Sequence, residues 1–462
     1  MGWKEELETL FEVTIDEEQM QVITDRHSVL QVIAGAGSGK TFTICCKVYY
    51  LVHVKKVDPK RIIMLSYTNY ACSEVQAYFK KMKLEIEVLT FHKFALNFLK
   101  LNQMEYQIKT EEKKVVEEWV EQMREKEKQE YIDRLLTYRS TNVFKKYQLK
   151  LWYLFCSEWK STRNLKYMQE KVFEEYREGK NPLLLESLKK YRKEKGYLLF
   201  QDMIPISLSL LKENKTVISD YQYLFVDEFQ DISKERFHYI AEYTKKVGNA
   251  LVVVGDDYQS IYQFADSDVK YFTEFSQFFE NSQRIFLKNT YRNSQELLDY
   301  ARKVISKNTG QIDKRLCSNH HLKDPIQVIY YANIEQYAHK IAGILKQLFE
   351  RKKKLKVLIL ARYQFDFEIM HEKSIQRTLR KCPETVQIDM LTIHKAKGLG
   401  YDEVILLNLR KGKYGFPSTV MKVDIEEERR LFYVALTRTK NHVYLLIPKQ
   451  NSSIFVEELL KD

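Results

Sequence analysis

The stretch LQVIAGAGSGKTFTICCKVYYL, residues 30–51, decides the fold. An apolar run typical of a strand buried on both faces leads through a glycine-rich turn into a run with helical spacing. In such a turn the backbone N–H groups converge on phosphates at the helix N-terminus, where the helix dipole also favours anions. Lys40 can then reach the β- and γ-phosphates, and the Thr41 hydroxyl can ligate Mg²⁺. The stretch therefore predicts binding of ATP and Mg²⁺, with a phosphate loop formed by Ala36, Gly37, Ser38 and Gly39.

Short apolar, β-branched runs recur along the rest of the chain, separated by stretches with helical spacing. Runs of this kind favour strands of a parallel sheet that helices cover on both faces. They fall into two clusters, which predicts an α/β protein with two sheets. The predicted strands are 30–35, 62–68, 223–228, 251–255, 326–331, 357–361, 388–393, 403–409 and 442–447.

A second signal for ATP chemistry is LFVDEFQD at 224–231, an apolar strand that ends in two adjacent acids. We expect Asp227 to hold Mg²⁺ through water, beside the Thr41 hydroxyl. Glu228 would orient and deprotonate the water that attacks the γ-phosphate.

Length, charge and cysteine content limit the class of protein. A chain of 462 residues is too long for one ordinary core, so we expect at least two domains. Lys and Arg exceed Asp and Glu by 75 − 63 = 12, a balance that suits a polyanionic partner. The six cysteines show no CxxC pattern or Cys/His cluster, so neither disulfides nor a zinc site is predicted. With no secretory layout at the N-terminus and no run of about 20 apolar residues, we expect a cytoplasmic protein without membrane contact.

Between the predicted strands 62–68 and 223–228 lies a region rich in Lys, Glu, Leu, Tyr and Trp, from about residue 93 to 199. Helical spacing fits it better than alternation. A charge run of this kind is usually a solvated helix face, so the region predicts a helical insertion rather than the source of the chemistry.

Several further motifs, in order, resemble those of the UvrD/Rep/PcrA-like superfamily 1A DNA helicases, across nearly the whole chain. They are IDEEQMQVIT at 15–24, VVGDDYQSIYQF at 253–264, TYRNSQEL at 290–297, LTIHKAKGLGYDEVILL at 391–407 and EEERRLFYVALTRTK at 426–440. The resemblance implies that Gln19 reads the adenine edge and that Tyr291 stacks on the base. It also implies that Gln259 senses the γ-phosphate and that Arg292 and Arg438 contact it.

The same resemblance implies a track for single-stranded DNA, built from LSYTNYACSEV at 65–75, LTFHKFAL at 89–96 and parts of the motifs above. Sequence-tolerant binding needs aromatic faces for bases and basic or polar groups for phosphates. For each aromatic residue, ordinary core packing is the alternative interpretation. The implied track residues are Tyr67, Thr68, Asn69, Phe91, His92, Tyr262, Phe264, His394 and Lys397.

By resemblance, the fold consists of two tandem RecA-like P-loop domains with a helical insertion in the first. The first domain would comprise residues 1–92 and 200–285, the insertion 93–199 and the second domain 286–462. Full-size relatives carry a second large insertion between the fourth and fifth motifs. Here only a vestige near 365–387 is expected.

The resemblance implies an ATP-dependent DNA helicase or translocase that moves 3′ to 5′ on single-stranded or partly duplex DNA. The sequence departs from the family pattern at Ala265, where an arginine is usual, at Gly400, where a glutamate is usual, and in lacking most of the second insertion. Nothing in it tests for a 2′-hydroxyl, so alternatives stay open. One alternative is an RNA-acting motor. Another is an ATP-switched, DNA-binding regulatory subunit of a nuclease-containing complex. Small UvrD-like proteins of anti-phage systems such as Gabija act alongside a nuclease, which suggests a partner nuclease or other protein subunit.

Overall fold

The protein is described by a computed structural model that covers residues 2–122, 169–170, 172–174, 176–179, 182–213, 216–351, 354–420 and 424–461. The described chain separates into two units, one of residues 1–91 with 219–462 and one of residues 92–218. None of the described helices has both the length and the apolar character that a membrane span requires. Part of the predicted helical insertion, residues 123–168, lies outside the described residues.

The strands, in chain order, are β1 Val29–Ala34, β2 Ile62–Ser66, β3 Glu87–Thr90, β4 Gln107–Lys109, β5 Tyr197–Leu199, β6 Tyr223–Val226, β7 Ala250–Gly255, β8 Gln283–Leu287, β9 Ile326–Tyr331, β10 Leu355–Ala361, β11 Val386–Thr392, β12 Tyr401–Leu406 and β13 Thr439–Pro448. The described α-helices are Trp3–Phe11, Glu17–Thr24, Lys40–His53, Asn69–Lys81, Phe91–Leu101, Glu112–Gln122, Pro182–Lys195, Met203–Leu211, Lys234–Val247, Lys270–Thr273, Phe275–Phe278, Gln295–Ile305, Ile334–Glu350, Lys373–Leu379, Ile393–Ala396, Ile425–Leu436 and Ile454–Leu460.

Two fully parallel sheets organise the larger unit. The first has the order β3-β2-β6-β7-β1-β8 and the second the order β11-β10-β12-β13-β9. Parallel neighbours need crossover connections, and helices supply most of them here. The predicted α/β class, with two sheets in the manner of tandem RecA-like domains, is confirmed, and each predicted apolar run forms a strand.

Strands β3 and β8, at the edges of the first sheet, were not predicted because neither has a continuous apolar run. An edge strand is bordered by only one neighbour and carries polar side chains more readily than a central strand. Glu87 is exposed, and Gln283 and Arg284 are only half-buried, so neither segment shows a continuous apolar run.

Buried apolar side chains cover both faces of each sheet. One cluster packs the helix Lys40–His53 and its neighbours on the first sheet. A second contains Tyr258 and Ile261 from the first half together with Phe432 and Leu436 from the second. This shared core joins the two halves of the larger unit.

The segment expected to be a vestigial insertion contains a 3₁₀ helix, Gln364–His371, and the short helix Lys373–Leu379. Their side chains Phe367, Met370 and Ile375 are buried against the second sheet. The segment is thus the crossover that joins the parallel neighbours β10 and β11.

The smaller unit contains the two-stranded parallel sheet of β4 and β5 and the helices Glu112–Gln122 and Pro182–Lys195. Its described residues have an apolar core of their own, which includes Val116, Trp119 and Leu188.

Candidate ATP and nucleic-acid sites

The phosphate loop runs from the end of β1 into the helix Lys40–His53. Gly37 and Gly39 have φ angles of 75° and 76°, in the left-handed region where glycine is the least strained residue. A Cβ atom on Gly37 would lie 2.5 Å from Cβ of Arg292 and 2.8 Å from Oγ1 of Thr290. The Thr290 hydroxyl donates to the Ala36 carbonyl at 2.6 Å, so the chain after β8 fastens the loop.

Thr41 and Asp227 meet directly below this loop. The Thr41 hydroxyl donates a hydrogen bond to Oδ2 of Asp227 at 2.8 Å, although 186 positions separate them in the chain. Burial, then the charge of Glu228, raises the pKa of Asp227. A hydroxyl and a carboxylate at this spacing form the oxygen pair that commonly holds Mg²⁺ beside a phosphate loop.

Glu228 occupies the sharp turn after β6, with a φ of 52° that is unusual outside glycine. Its Oε2 accepts a hydrogen bond from Nε2 of Gln230 at 2.6 Å, and its Oε1 lies 3.8 Å from Nζ of Lys40. Burial alone would raise the pKa of Glu228, but the charges of Lys40 and Lys397 outweigh burial and lower it. Its neighbours therefore keep the Glu228 carboxylate ionised and fix its orientation.

Gln259 and Arg438 form a buried pair that links the two halves. Nη2 of Arg438 donates to Oε1 of Gln259 at 3.0 Å, while its Nε and Nη1 donate to the carbonyls of Val434 and Leu399. Burial, then the nearby charge of Arg292, lowers the pKa of Arg438 to about 9. Arg292 itself donates from Nη2 to the Gly398 carbonyl at 3.4 Å.

These groups surround one cavity of about 270 Å³. Its walls come from the phosphate loop, the turns after β6 and β7, and the second half of the unit. The lining residues are Gly37, Ser38, Gly39, Lys40, Thr41, Phe42, Glu74, Tyr78, Glu228, Gln259, Arg292, Gly398 and Arg438. Glu74 and Tyr78 were not predicted. They are four residues apart on the helix Asn69–Lys81, and only the tertiary fold shows that this face meets the loop.

Gln19 and Tyr291, the predicted adenine contacts, lie beside the phosphate loop. Nε2 of Gln19 lies 3.5 Å from the Ser38 carbonyl, and its Oε1 accepts from the backbone N–H of Asp16. The Tyr291 hydroxyl donates to Oδ2 of the same Asp16 at 2.5 Å, and the Tyr291 ring is 59% exposed. Asp16 thus holds both predicted adenine contacts, a role that its sequence position did not indicate.

Around the end of β2, the structure separates exposed candidates for nucleic-acid contact from a buried one. Thr68 and Asn69 are exposed, with the Thr68 hydroxyl accepting from the Ala71 N–H as a helix N-cap. The half-buried Tyr67 ring lies 5.1 Å from the ring of Phe91. Phe91 is only 1% exposed, so its ring packs in the core of this structure, and its contact with a nucleic-acid strand stays a prediction.

His92 belongs to the smaller unit. Its ring lies 4.1 Å from the ring of Phe200, which is half exposed.

Where the two halves of the larger unit meet, Tyr262 and Phe264 of the first half and His394 of the second form an aromatic group. Phe264 is 73% exposed, and its ring meets that of His394 edge-on at 5.4 Å. The Tyr262 hydroxyl donates to the His394 carbonyl at 3.2 Å. Burial, then the charges of Arg362 and Lys397, lowers the pKa of His394 to about 4, so the ring is neutral at physiological pH.

Lys397, one of the residues of the predicted nucleic-acid track, is enclosed by two neighbours in this structure. Its ammonium forms an ion pair with Asp231 and lies 4.8 Å from the centre of the Tyr262 ring. The side chain is only 8% exposed, because both partners enclose it. In this conformation Lys397 links the aromatic group to Asp231 and does not face a nucleic-acid strand.

Comparison with known proteins agrees with this geometry. Residues 15–280 match the UvrD/REP helicase N-terminal domain, and residues 367–450 match the UvrD-like helicase C-terminal domain. DNA helicase IV of Escherichia coli (strain K12) is 28% identical, over 95% of this chain and 69% of that protein. A probable DNA helicase of Mycoplasma pneumoniae is 26% identical, over 94% of this chain and 83% of its own length. The ATP-dependent DNA helicase PcrA of Staphylococcus epidermidis (strain RP62A) is 24% identical over 89% of this chain, which spans 58% of PcrA. The match to the UvrD/REP helicase N-terminal domain alone covers more than half of the chain, so the protein belongs to the UvrD/REP helicase family.

Proposed function

We propose that the protein is an ATP-dependent DNA helicase or translocase that moves 3′ to 5′ along single-stranded DNA. The observation that carries the proposal is the single cavity lined both by the phosphate loop and by Arg438 from the second half. DNA as the substrate rests on the relatives, which are named DNA helicases. The direction rests on the family resemblance.

The residues present fit ATP and Mg²⁺. The left-handed glycines keep the loop free of Cβ atoms where phosphates would approach, and Lys40 points into the same cavity. Thr41 and Asp227 would hold Mg²⁺, which when bound neutralises charge on the phosphates. Gln19 would read the adenine edge and Tyr291 would stack on the base.

Hydrolysis needs an oriented water and neutralisation of the charge on the transferring phosphoryl group. Glu228, ionised and fixed by Gln230, is the proposed base for that water. Gln259 would sense the γ-phosphate from the base of the cavity. Two neighbouring guanidinium groups, Arg292 and Arg438, would be stabilised by an anion between them. ATP would therefore draw the two halves together, and hydrolysis would release them.

For the DNA track we propose base stacking on Tyr67 and Phe264, with Thr68 and Asn69 near the backbone phosphates. These groups are either exposed or lie next to exposed ones. Tyr262 and His394 would support Phe264 from behind. His92 is proposed as a contact on the smaller unit.

We also propose the domain division 1–92 with 200–285, 93–199, and 286–462. The strands β1–β3, β6 and β7 fall within the first domain and β9–β13 within the last, while β8 crosses the boundary at 285. The compact smaller unit, residues 92–218, contains the whole of the middle segment and extends beyond it on both sides. A partner nuclease or other subunit belongs to the same proposal and rests on family resemblance alone.

ATP hydrolysis by the purified protein, with and without single-stranded DNA or RNA, tests the proposed activity. We expect strong stimulation by DNA and loss of about 10²-fold or more in Lys40→Ala and Glu228→Gln, because each removes a group acting on the transferred phosphoryl. Lys307→Met, at an exposed lysine away from the cavity, is the matched control.

Hydrolysis that neither polymer affects would sink the motor proposal and favour an ATP-switched subunit. Preferential stimulation by RNA would identify RNA, rather than DNA, as the substrate.

A further inference from the structure

A buried cluster of three charges lies directly behind the ATP cavity. The Lys314 ammonium lies 2.6 Å from Oδ1 of Asp256 and 2.5 Å from Oδ1 of Asp257, and all three side chains are at most 1% exposed. Its Nζ also lies 4.1 Å from the centre of the Tyr258 ring. Burial acts to lower the pKa of Lys314, but the two carboxylates outweigh it and raise the pKa. The cluster is therefore an ionised lysine shared by two acids.

The two carboxylate oxygens of Asp256 have different partners, Lys314 and the cavity residue Gln259. While Oδ1 faces Lys314, Oδ2 accepts a hydrogen bond from Nε2 of Gln259 at 2.6 Å. The other end of the Gln259 amide, Oε1, accepts from Arg438 at 3.0 Å. A carboxylate can only accept and a guanidinium can only donate, so these neighbours fix which way the amide points.

The residues on either side of Lys314 contact Asp257 and the phosphate loop. The Ile312 N–H donates to Oδ2 of Asp257 at 2.8 Å, and Nε2 of Gln311 donates to the Asp257 carbonyl at 3.0 Å. Leu316 packs so closely beneath Gly35 of the phosphate loop that a Cβ atom there would lie 2.4 Å from it. Contacts on both sides of Lys314 in the chain thus hold it in place.

We infer that Lys314 is a positioning residue for ATP hydrolysis: it anchors Asp256, which orients the Gln259 amide between the cavity and Arg438. The inference rests on the proposed function of Gln259 and Arg438 at the γ-phosphate. Lys314 lies outside every motif by which the family resemblance was drawn, and it does not line the cavity.

Removing the cation would leave two adjacent buried carboxylates that repel each other. Asp256 would turn away or take up a proton, and in either case its pull on Nε2 of Gln259 would weaken. Gln259 and Arg438 would then adopt several arrangements, whereas the phosphate loop would remain intact. The step that suffers is hydrolysis rather than ATP binding, since displacements of about 1 Å at reacting groups can reduce rates by roughly 10²-fold.

The test is a double-mutant cycle of Lys314→Met with Gln259→Ala, measured as DNA-stimulated ATP hydrolysis. Thermal melting and circular dichroism first establish that each variant folds. We expect Lys314→Met to lower kcat by about 10- to 100-fold with KM for ATP changed by about threefold or less. In the Gln259→Ala background, the same change should cost about threefold or less, because the residue being positioned is gone. The control is Lys307→Met, an exposed lysine of the same connection, which should retain the natural kcat.

Asp256→Asn is the second variant, because it leaves Lys314 paired one to one with Asp257 and removes the anchored carboxylate. We expect it to show the same selective loss of kcat, and it decides the matter if Lys314→Met does not fold. A folded variant with natural kcat, or losses that multiply fully with Gln259→Ala, would overturn the inference. An inactive natural protein would instead count against the proposed ATP hydrolysis itself.

Discussion

At the scale of single residues, close approach decides which side chains the ATP site accepts. Gly37 has a left-handed backbone, and the space beside it is filled by Arg292 and Thr290. Two independent reasons therefore exclude a side chain at this position, one from backbone strain and one from contact.

We predict that Gly37→Ala weakens ATP binding by about tenfold or more, because left-handed strain costs about 1–3 kcal/mol and about 1.4 kcal/mol corresponds to tenfold. The new methyl group would also push Arg292 from the loop. Titration with a fluorescent ATP analogue measures the affinity. In Gly310→Ala the new Cβ meets only an ordinary contact at 3.8 Å, so affinity should be unchanged. Equal affinities in the two variants would contradict the packing described for the loop.

At the scale of elements, glycine has opposite effects on stability in the interior of a helix and at its C-terminus. Gly343 lies in the interior of the helix Ile334–Glu350, whereas Gly248 ends the helix Lys234–Val247 with a φ of 69°. A Cβ atom would meet nothing within 4 Å at either position. The two sites therefore differ in backbone conformation and not in space.

We predict that Gly343→Ala raises the free energy of unfolding by about 0.5–1 kcal/mol, because alanine loses less backbone entropy in a helix. Gly248→Ala should lower it by about 1 kcal/mol or more, because the left-handed C-cap strains any Cβ. Urea unfolding of both variants beside the natural protein gives the two differences. Shifts of the same sign would show that the helix ends elsewhere than the structure indicates.

At the scale of the whole molecule, the excess of 12 positive charges bears on binding to a polyanion. Contacts to phosphates release counterions from the nucleic acid, so affinity depends on salt. The proposed stacking on Tyr67 and Phe264 does not depend on salt to the same degree.

We predict that affinity for an oligothymidylate falls by roughly tenfold or more between about 50 and 200 mM salt, as expected for release of about three counterions. Fluorescence anisotropy at several salt concentrations gives the slope. Replacing Phe264 with Leu should weaken binding at every salt concentration and leave the slope unchanged, since it removes a stacking face and no charge. An affinity independent of salt would argue against a phosphate-tracking surface.

Local patterns in the sequence were sufficient to predict the strands with continuous apolar runs and to single out the phosphate loop and the acids Asp227 and Glu228. Each depends on residues adjacent in the chain, where burial on both faces and backbone conformation leave a direct mark on residue type. The edge strands β3 and β8 left no such mark because polar side chains are tolerated there.

Only the tertiary structure decided how distant residues meet. It buried Phe91 and gave Lys397 an acidic partner. It also placed Lys314, an unremarkable lysine in the sequence, between two acids behind the cavity. Such contacts depend on how the two halves of the larger unit pack together, and no local pattern of hydrophobicity or charge records that arrangement.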